Sequence, residues 1–283
     1  MDFRPTEELV ILRKTVRDFV DREIAPVVNE DEKAHRFQRE LVSRMGALGF
    51  LGCPIPEEYG GNGMGFLAHA IACEEIARVS GSLRAAFNMQ TMGTSFLIVN
   101  FGTEEQKKKY VPKLVNAEWL GCFAITEPNA GSDTAAMSTV AIKEGDFYRL
   151  NGTKTWISYA PVADVGVFFA YTDRTQKYKG LSAFIVDMKS PGISVRSIDE
   201  KMGWHSSPTG EVFLEDVKIP ADCLLGQEGM GFKIMMSDLN NTRLTASAGA
   251  VGACQGLIDE AVKYSRQRIQ FGQAIGQFQM VQE

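Results

Sequence analysis

The chain has 283 residues, 45% hydrophobic and 23% charged, with a net charge of −5, which suits one large globular domain or two to three small ones. The acidic balance argues against nucleic acid, which wants a basic patch, and no apolar run reaches the roughly 18–20 residues of a membrane span. The N-terminus, Met1-Asp-Phe-Arg-Pro-Thr-Glu-Glu8, has no apolar signal core and is too acidic for a transit peptide, so a cytoplasmic location is the simplest reading.

Thr6 before two glutamates predicts a helix start. Leu9, Leu12, Val16, Phe19 and Ile24 then recur at three- to five-residue steps, one apolar face, until Pro26 stops or kinks the helix. A glycine-rich loop, Ile55 to Gly65, precedes apolar helices expected over roughly 66–78 and 84–100. Thr103-Glu-Glu-Gln106 is a capping box for another. From about 119 the period changes. Trp119–Ile125, Val140–Lys143, Phe147–Trp156, Val165–Tyr171, Leu181–Asp187 and Val212–Val217 are short runs rich in β-branched and aromatic residues, separated by turn residues such as Gly145-Asp146. No helical segments alternate with them, so a doubly wound nucleotide fold is not expected. From Gly229 the chain is helical again. Its tract Ala246-Ser-Ala-Gly-Ala-Val-Gly-Ala253 is small enough for a close helix–helix contact. Phe278 to Glu283 reads as the opening of a further helix, so the chain is expected to be part of a longer one.

The expected fold is therefore α+β and multidomain: a helical N-terminal domain over 1–118, a central antiparallel β domain over 119–226, and the start of a C-terminal helical bundle over 227–283. Five scattered cysteines (Cys53, Cys73, Cys122, Cys223, Cys254) form no Cys-x-x-Cys pair and read as reduced, mostly buried thiols. No metal site is expected.

Gly63-x-Gly65-x-x-Ala68 matches a loose dinucleotide fingerprint, but prolines rather than a strand precede it, so a turn near a ligand or interface is the better reading. Phe123-Ala-Ile-Thr-Glu-Pro-Asn-Ala-Gly-Ser-Asp133 is a strand end followed by a polar loop. Phe123 and Ile125 share a strand face, and Ala130-Gly131-Ser132 lets backbone approach a bulky ligand; alone, it also fits a plain hairpin loop. Trp156 and Ser158, two apart, point to one side of a strand and offer a flat indole and a hydroxyl. Flavin chemistry wants such groups beside its ring.

Ile55-Pro-Glu-Glu-Tyr-Gly-Gly61, Ile125-Thr-Glu-Pro-x-Ala-Gly-Ser-Asp133, Asn151-Gly-Thr-Lys-Thr-Trp-Ile-Ser158, Val212-x-Leu-Glu-Asp-Val-Lys-Ile-Pro220 and Arg268-x-x-Phe-Gly272 stand in the order seen in the acyl-CoA dehydrogenases, and the chain resembles that family from end to end. The resemblance implies an FAD-dependent desaturation of an acyl-CoA thioester between its α and β carbons. It implies flavin contacts from Phe123, Ile125, Thr126, Gly131, Ser132, Trp156, Ile157 and Ser158, where the usual residue at Ser158 is threonine. Ser132 would also touch the pantetheine. Arg268, Phe271 and Gln279 would reach the FAD of a neighbouring subunit, within a homotetramer. Asn240, Asn241 and Arg243 would hold the CoA. An electron-transfer flavoprotein would take the electrons.

Arg84 enters an otherwise apolar helix, which is costly unless the charge is paired. Glutaryl-CoA dehydrogenases, which the chain also resembles over His205–Gly210 and Leu239–Arg243, carry an arginine there for the distal carboxylate of the substrate. Pairing with Glu74 or Glu75 is the other account of Arg84. Ala85, where a serine occurs in that subgroup, departs from the pattern. Cyclic or aromatic acyl groups against Phe87, Met89 and Met92 stay open as substrates, and whether oxidation is coupled to decarboxylation is undecided. The family's base is a glutamate in the C-terminal part, expected here beyond Glu283. Some members carry it where Thr242 stands, and the stretch from Val79 to Thr103 has no Asp or Glu. The chain as given is thus expected to bind flavin without turning over, which keeps a non-catalytic acyl-CoA- or flavin-binding fragment as the reading of a different class.

Overall fold

The computed structural model describes residues 4–283. Thr6 stands at the cap of α1 (Glu7–Phe19) in extended backbone, without its side chain accepting a cap bond. Leu12, Val16 and Phe19 form the buried stripe. The helix widens into a π turn over Val20–Ile24 and ends just ahead of Pro26, whose ring nitrogen has no N–H to continue the helical ladder. α2 (Val28–Ala34), α3 (Arg39–Ala47) and α4 (Gly65–Ala77) follow. Gly63 and Gly65 are in left-handed backbone, with a 3-10 turn rather than a strand upstream.

The helix expected over 84–100 is three segments: α5 (Gly81–Asn88), a π-helical stretch Met89–Phe96, and α6 (Leu97–Phe101). The widening has a local cause. The Thr94 and Ser95 hydroxyls donate back to the Gln90 carbonyl at 2.9 and 2.6 Å, diverting it from the helical ladder. Gln90 in turn donates to the Leu114 and Trp119 carbonyls and accepts from the Gly121 amide, tying the π stretch to its neighbours. The capping box at Thr103 and Gln106 is formed and opens α7 (Glu104–Val115).

The middle of the chain is an eight-stranded sheet of β1 (Gly121–Ala124), β2 (Val140–Glu144), β3 (Phe147–Ser158), β4 (Val165–Tyr171), β5 (Leu181–Asp187), β6 (Ile193–Ser197), β7 (Thr209–Pro220) and β8 (Leu224–Leu225), in the order β6-β7-β3-β2-β4-β5-β8. The sheet is mostly antiparallel, and the purely antiparallel sheet expected from the sequence is corrected at two places. β1 pairs in parallel with β4 from Gly121↔Val165 to Ala124↔Phe168, and β2 meets β4 in parallel at Val140↔Tyr171. Parallel pairing needs a long crossover, usually a helix; here the β2–β3 hairpin serves as the crossover, so no helical signal announces it. β6 and β8 escape a sequence reading because one is an exposed edge strand and the other has two residues.

α8 (Gly231–Gln267) returns across the helical layer and packs along α4. The small tract makes the close contact its composition predicts: a Cβ on Gly252 or Gly256 would collide with the carbonyls of Glu74 or Arg78. A short hairpin of β9 (Ile269–Gln270) and β10 (Gln273–Ala274) and the turn α9 (Gln279–Gln282) end the chain. Cys53, Cys73 and Cys122 are buried, Cys223 is half-buried and Cys254 exposed, all as thiols. Among the described residues no helix is long and apolar enough to cross a membrane.

Candidate functional site

Between the 126–131 loop, the end of β3 and the 196–200 segment lies an open groove of about 1060 Å³, with Thr126, Ala130, Gly131, Thr155 and Trp156 among its walls. β3 and β7 lose register between Lys154 and Ile157, where three steps on β3 match two on β7. This is a bulge, and bulges re-aim side chains. Trp156 takes left-handed backbone there (φ 58°) and its side chain is 58% exposed. Ser158 is half-buried. Ile157 between them points the other way, 2% exposed in the sheet core, so only its backbone can face a ligand in the groove. The expected alternation of Trp156 and Ser158 holds in burial, while the backbone that delivers it is a bulge, not a regular strand.

Ile125 is buried, and Phe123 is half-buried with its ring edge-on to Phe169 at 5.3 Å. Phe123 packs close to Gly93, so the π stretch lies against β1 where the flavin-type loop begins. Gly131 has open space around it and Ser132 is exposed.

Beneath the groove is an ion pair that the motifs contained but that was given no role from sequence. Lys154 Nζ, 0% exposed, donates to Glu127 Oε1 at 2.8 Å and to the Ile125 carbonyl at 3.2 Å. Glu127 also accepts from the amides and hydroxyls of Ser138 and Thr139. Burial pushes the Glu127 carboxyl up, but the Lys154 charge and these hydrogen bonds more than offset it and hold it at about 2. Burial pulls the Lys154 ammonium down to about 8, against the attraction of Glu127. Both are charged at neutral pH, and the pair joins the Thr126 loop to the Trp156 strand. The available signal was parity: Tyr148, Leu150 and Lys154 share one alternating face of β3, and that face is buried.

α5 and the π stretch are mostly buried except for a half-exposed stripe of Arg84, Ala85, Asn88 and Met89. Phe87 and Met92 are fully buried, so of the three apolar walls named from sequence only Met89 faces open space. Glu74 and Glu75 are engaged elsewhere, by Arg13 at 2.8 and 2.7 Å and, for Glu75, by Arg17 at 2.8 Å. Among the described residues Arg84 has no carboxylate partner; its contact is the Trp204 ring, 5.0 Å from Cζ to the ring centroid.

On α8, Arg243 donates to Asn240 at 2.8 Å and Asn241 to the Ser237 carbonyl at 2.9 Å. The Thr242 hydroxyl is turned back to the Leu239 carbonyl. Asp238, one turn earlier, is 2% exposed with Oδ1 unpartnered, and burial raises its carboxyl to about 7. Nothing in the sequence marked it. Arg268, Phe271 and Gln279 lie in the exposed terminal hairpin and turn, with Phe271 94% exposed. The structure does not bring them to the groove of their own chain. No cluster of three or more metal-ligating side chains occurs among the described residues.

A helical layer, a mixed sheet that carries an indole-walled groove, and a long returning helix make up the architecture of an acyl-CoA dehydrogenase. The chain matches the N-terminal domain of acyl-CoA dehydrogenase over residues 6–118, the middle domain over 122–217 and the C-terminal domain over 229–283. It belongs to the acyl-CoA dehydrogenase family, oxidoreductases acting on CH–CH bonds. It is 50% identical to a glutaryl-CoA dehydrogenase of Desulfococcus multivorans, over 100% of this chain and 74% of that protein. A solved glutaryl-coenzyme A dehydrogenase in complex with glutaryl-CoA superposes with a TM-score of 0.97 at 50% identity, covering 99% of this chain and 72% of the other. A glutaryl-CoA dehydrogenase of Mycobacterium smegmatis in complex with FADH2 superposes with a TM-score of 0.92 at 32% identity, covering 98% and 70%.

Proposed function

We propose that this chain binds FAD and a dicarboxylic acyl-CoA, best matched by glutaryl-CoA, for desaturation between the α and β carbons. The observation that carries the substrate is Arg84, the cation on the half-exposed stripe, which no carboxylate neutralises among the described residues. Glu74 and Glu75 are already paired, and a guanidinium without an anion matches a carboxylate in a fork of two hydrogen bonds. The D. multivorans relative supports the same reading by name.

The groove fits a flavin: it is open, roomy and polar-rimmed, with an exposed indole in its wall for the ring to pack on, and the half-buried Ser158 stands two residues further along β3. Phe123, Ile125, Thr126, Gly131, Ser132, Trp156 and Ser158 would hold it, with Ile157 contributing backbone. When bound, FAD supplies the acceptor for the hydrogen leaving the β carbon. The chain's own residues bind and orient. Asn240, Asn241 and Arg243 engage the CoA, Ser132 the pantetheine, and Arg84 the far end of the acyl chain. Thr242 has only a hydroxyl and the α5 stripe no carboxylate, so neither supplies the base for the α proton. Arg268, Phe271 and Gln279 serve the FAD of a neighbouring subunit in a homotetramer, and an electron-transfer flavoprotein takes the electrons.

The test is an anaerobic titration of the FAD-loaded protein with glutaryl-CoA and, separately, butyryl-CoA, followed in the visible flavin band and by calorimetry. Tight binding of glutaryl-CoA with perturbation of the band, lost in Arg84→Gln, supports the reading. A yellow protein that prefers butyryl-CoA removes the dicarboxylic substrate, and a colourless protein that takes up no FAD removes the whole proposal.

A further inference from the structure

A guanidinium held only by its flexible stem swings through many rotamers, and ordering it on binding is costly. Arg84 is not left in that state. The Trp204 indole lies over its guanidinium at 5.0 Å. From the other helix, α8 closes on the same side chain at Gly249, where a Cβ would stand 3.1 Å from Nε and 3.5 Å from Cζ. Gly81, in the first turn of α5, lets the indole come close, because any Cβ there would run into Trp204 Nε1. None of the five N–H donors of Arg84 has a protein acceptor among the described residues. A planar cation stacked on an aromatic face is gripped through that face, and its in-plane donors are left for a planar anion.

The segment that carries Trp204 is itself anchored. Trp204 is in left-handed backbone (φ 55°), a strained conformation for a bulky residue, so its surroundings must hold it there. Glu32 of α2 accepts from the His205 amide at 2.7 Å and from the Ser206 hydroxyl at 2.6 Å, and also from the Ser82 hydroxyl on α5. One carboxylate thus fixes both the loop and the helix that bears Arg84. Burial pushes the Glu32 carboxyl up, but the bonds from Ser206, Ser82 and the loop amides outweigh it and hold it below its ordinary value. Ser207 donates to the Tyr159 hydroxyl at 3.2 Å, and Tyr159 donates to the Ser82 carbonyl at 2.6 Å. The loop therefore connects the first turn of α5 to the residue that follows β3.

We propose that Trp204 is a specificity-determining positioning residue, which holds the Arg84 guanidinium edge-on to the distal carboxylate of the acyl group, with Glu32 locking the loop in register. The inference rests on the dicarboxylic reading of the site. It makes the 199–208 loop, and not α5 alone, part of the selection between charged and uncharged acyl chains.

The experiment measures dissociation constants of glutaryl-CoA and butyryl-CoA by calorimetry for the full chain loaded with FAD, in wild type, Trp204→Ala, Trp204→Phe, Arg84→Gln and the double variant Arg84→Gln/Trp204→Ala. Thermal melts confirm that each variant is folded. Trp204→Ala is expected to weaken glutaryl-CoA about 10-fold, the scale of a partly desolvated cation–aromatic contact, and to leave butyryl-CoA within about 3-fold. Trp204→Phe keeps a face under the guanidinium and should recover most of the affinity. In the Arg84→Gln background, removing Trp204 should add nothing for glutaryl-CoA. Equal loss for both thioesters in Trp204→Ala, or no loss for either while Arg84→Gln still weakens glutaryl-CoA alone, overturns the role of Trp204 and leaves the dicarboxylic reading standing. An Arg84→Gln variant that weakens neither thioester, or both equally, overturns both.

Discussion

Lys154 and Arg84 are both cations set into apolar surroundings, and the fold treats them in opposite ways. Lys154 is wholly enclosed, with Glu127 at 2.8 Å and a backbone carbonyl beside it. Arg84 stands on a half-exposed stripe with an aromatic face and, among the described residues, no carboxylate. A charge that is paired and hydrogen-bonded is used up in building the protein, whereas one that is oriented but unneutralised is kept for a ligand. Asp238 is a third case, a carboxylate buried with neither partner nor exposure.

The largest expected effect comes from breaking the paired case. Glu127→Gln leaves the Lys154 ammonium buried without a counter-charge, which costs about 3–5 kcal/mol. The double change Glu127→Gln/Lys154→Met should recover much of that stability, because no charge is then stranded. Denaturant melts check the stability. FAD affinity should fall in the single variant, since the pair joins the Thr126 loop to the Trp156 strand. The pH sign follows from the carboxyl held at about 2: Glu127 contributes stability above its ordinary value of 4.5 that disappears as pH falls towards 2. A wild-type melt that is flat across that window and matches Glu127→Gln would show that the pair contributes nothing.

Next comes Asp238. Its carboxyl is raised from 3.8 to about 7 by burial. A raised acid binds its proton more tightly in the folded state, so stability falls as pH rises from about 4 to 7 and the full cost is present above 7. Asp238→Asn should therefore stabilise the protein at pH 8 by on the order of 4 kcal/mol and do nothing at pH 3. Unchanged melting at pH 8 would mean that the carboxylate is neutralised by something bound. The same variant bears on the base. Bleaching of the flavin by glutaryl-CoA in the wild-type chain, abolished in Asp238→Asn with acyl-CoA binding retained, would place proton abstraction on α8, one turn before Thr242.

A smaller effect tests the frame that brings these charges together. Gly252→Ala on α8 meets the Glu74 carbonyl of α4, a backbone group that cannot step aside alone. Overpacking of this kind costs about 1–3 kcal/mol. A melt within experimental error of wild type would mean that the α4–α8 contact is soft.

How far these features were legible in the sequence follows from what kind of signal each leaves. The capping box at Thr103, the small tract on α8 and the strand runs were readable because they depend on neighbours in sequence. The parallel place of β1 was not, because the crossover is a hairpin and hairpins look antiparallel. The Trp156–Ser158 motif was visible, but the bulge that turns the indole outward is a property of the β3–β7 register. Glu127 and Lys154 lay inside quoted motifs as unremarked charges, and only the buried parity of β3 hinted at their pairing. Trp204 gave no signal at all, since its partner Arg84 is over a hundred positions away. Contacts set by tertiary geometry are the ones that local pattern misses.

The smallest expected change in stability is at the other end of the comparison. Arg84→Gln removes a charge that has no ion pair among the described residues and one aromatic contact, so the melt should shift by less than about 1 kcal/mol. Its effect on ligand should be far larger. A charge-assisted pair to a carboxylate is worth about 1.5–3 kcal/mol, so glutaryl-CoA should bind about 10- to 100-fold more weakly, with butyryl-CoA little changed. The contrast with Glu127→Gln is then complete, since one variant loses stability and the other loses selectivity. If Arg84→Gln instead unfolds the protein at the scale of the Lys154 pair, Arg84 is a structural cation and its free donors are not a substrate site. If it does neither, the selectivity for an acyl end group resides on α8, where the next variants to measure are Asn241→Ala and Arg243→Gln.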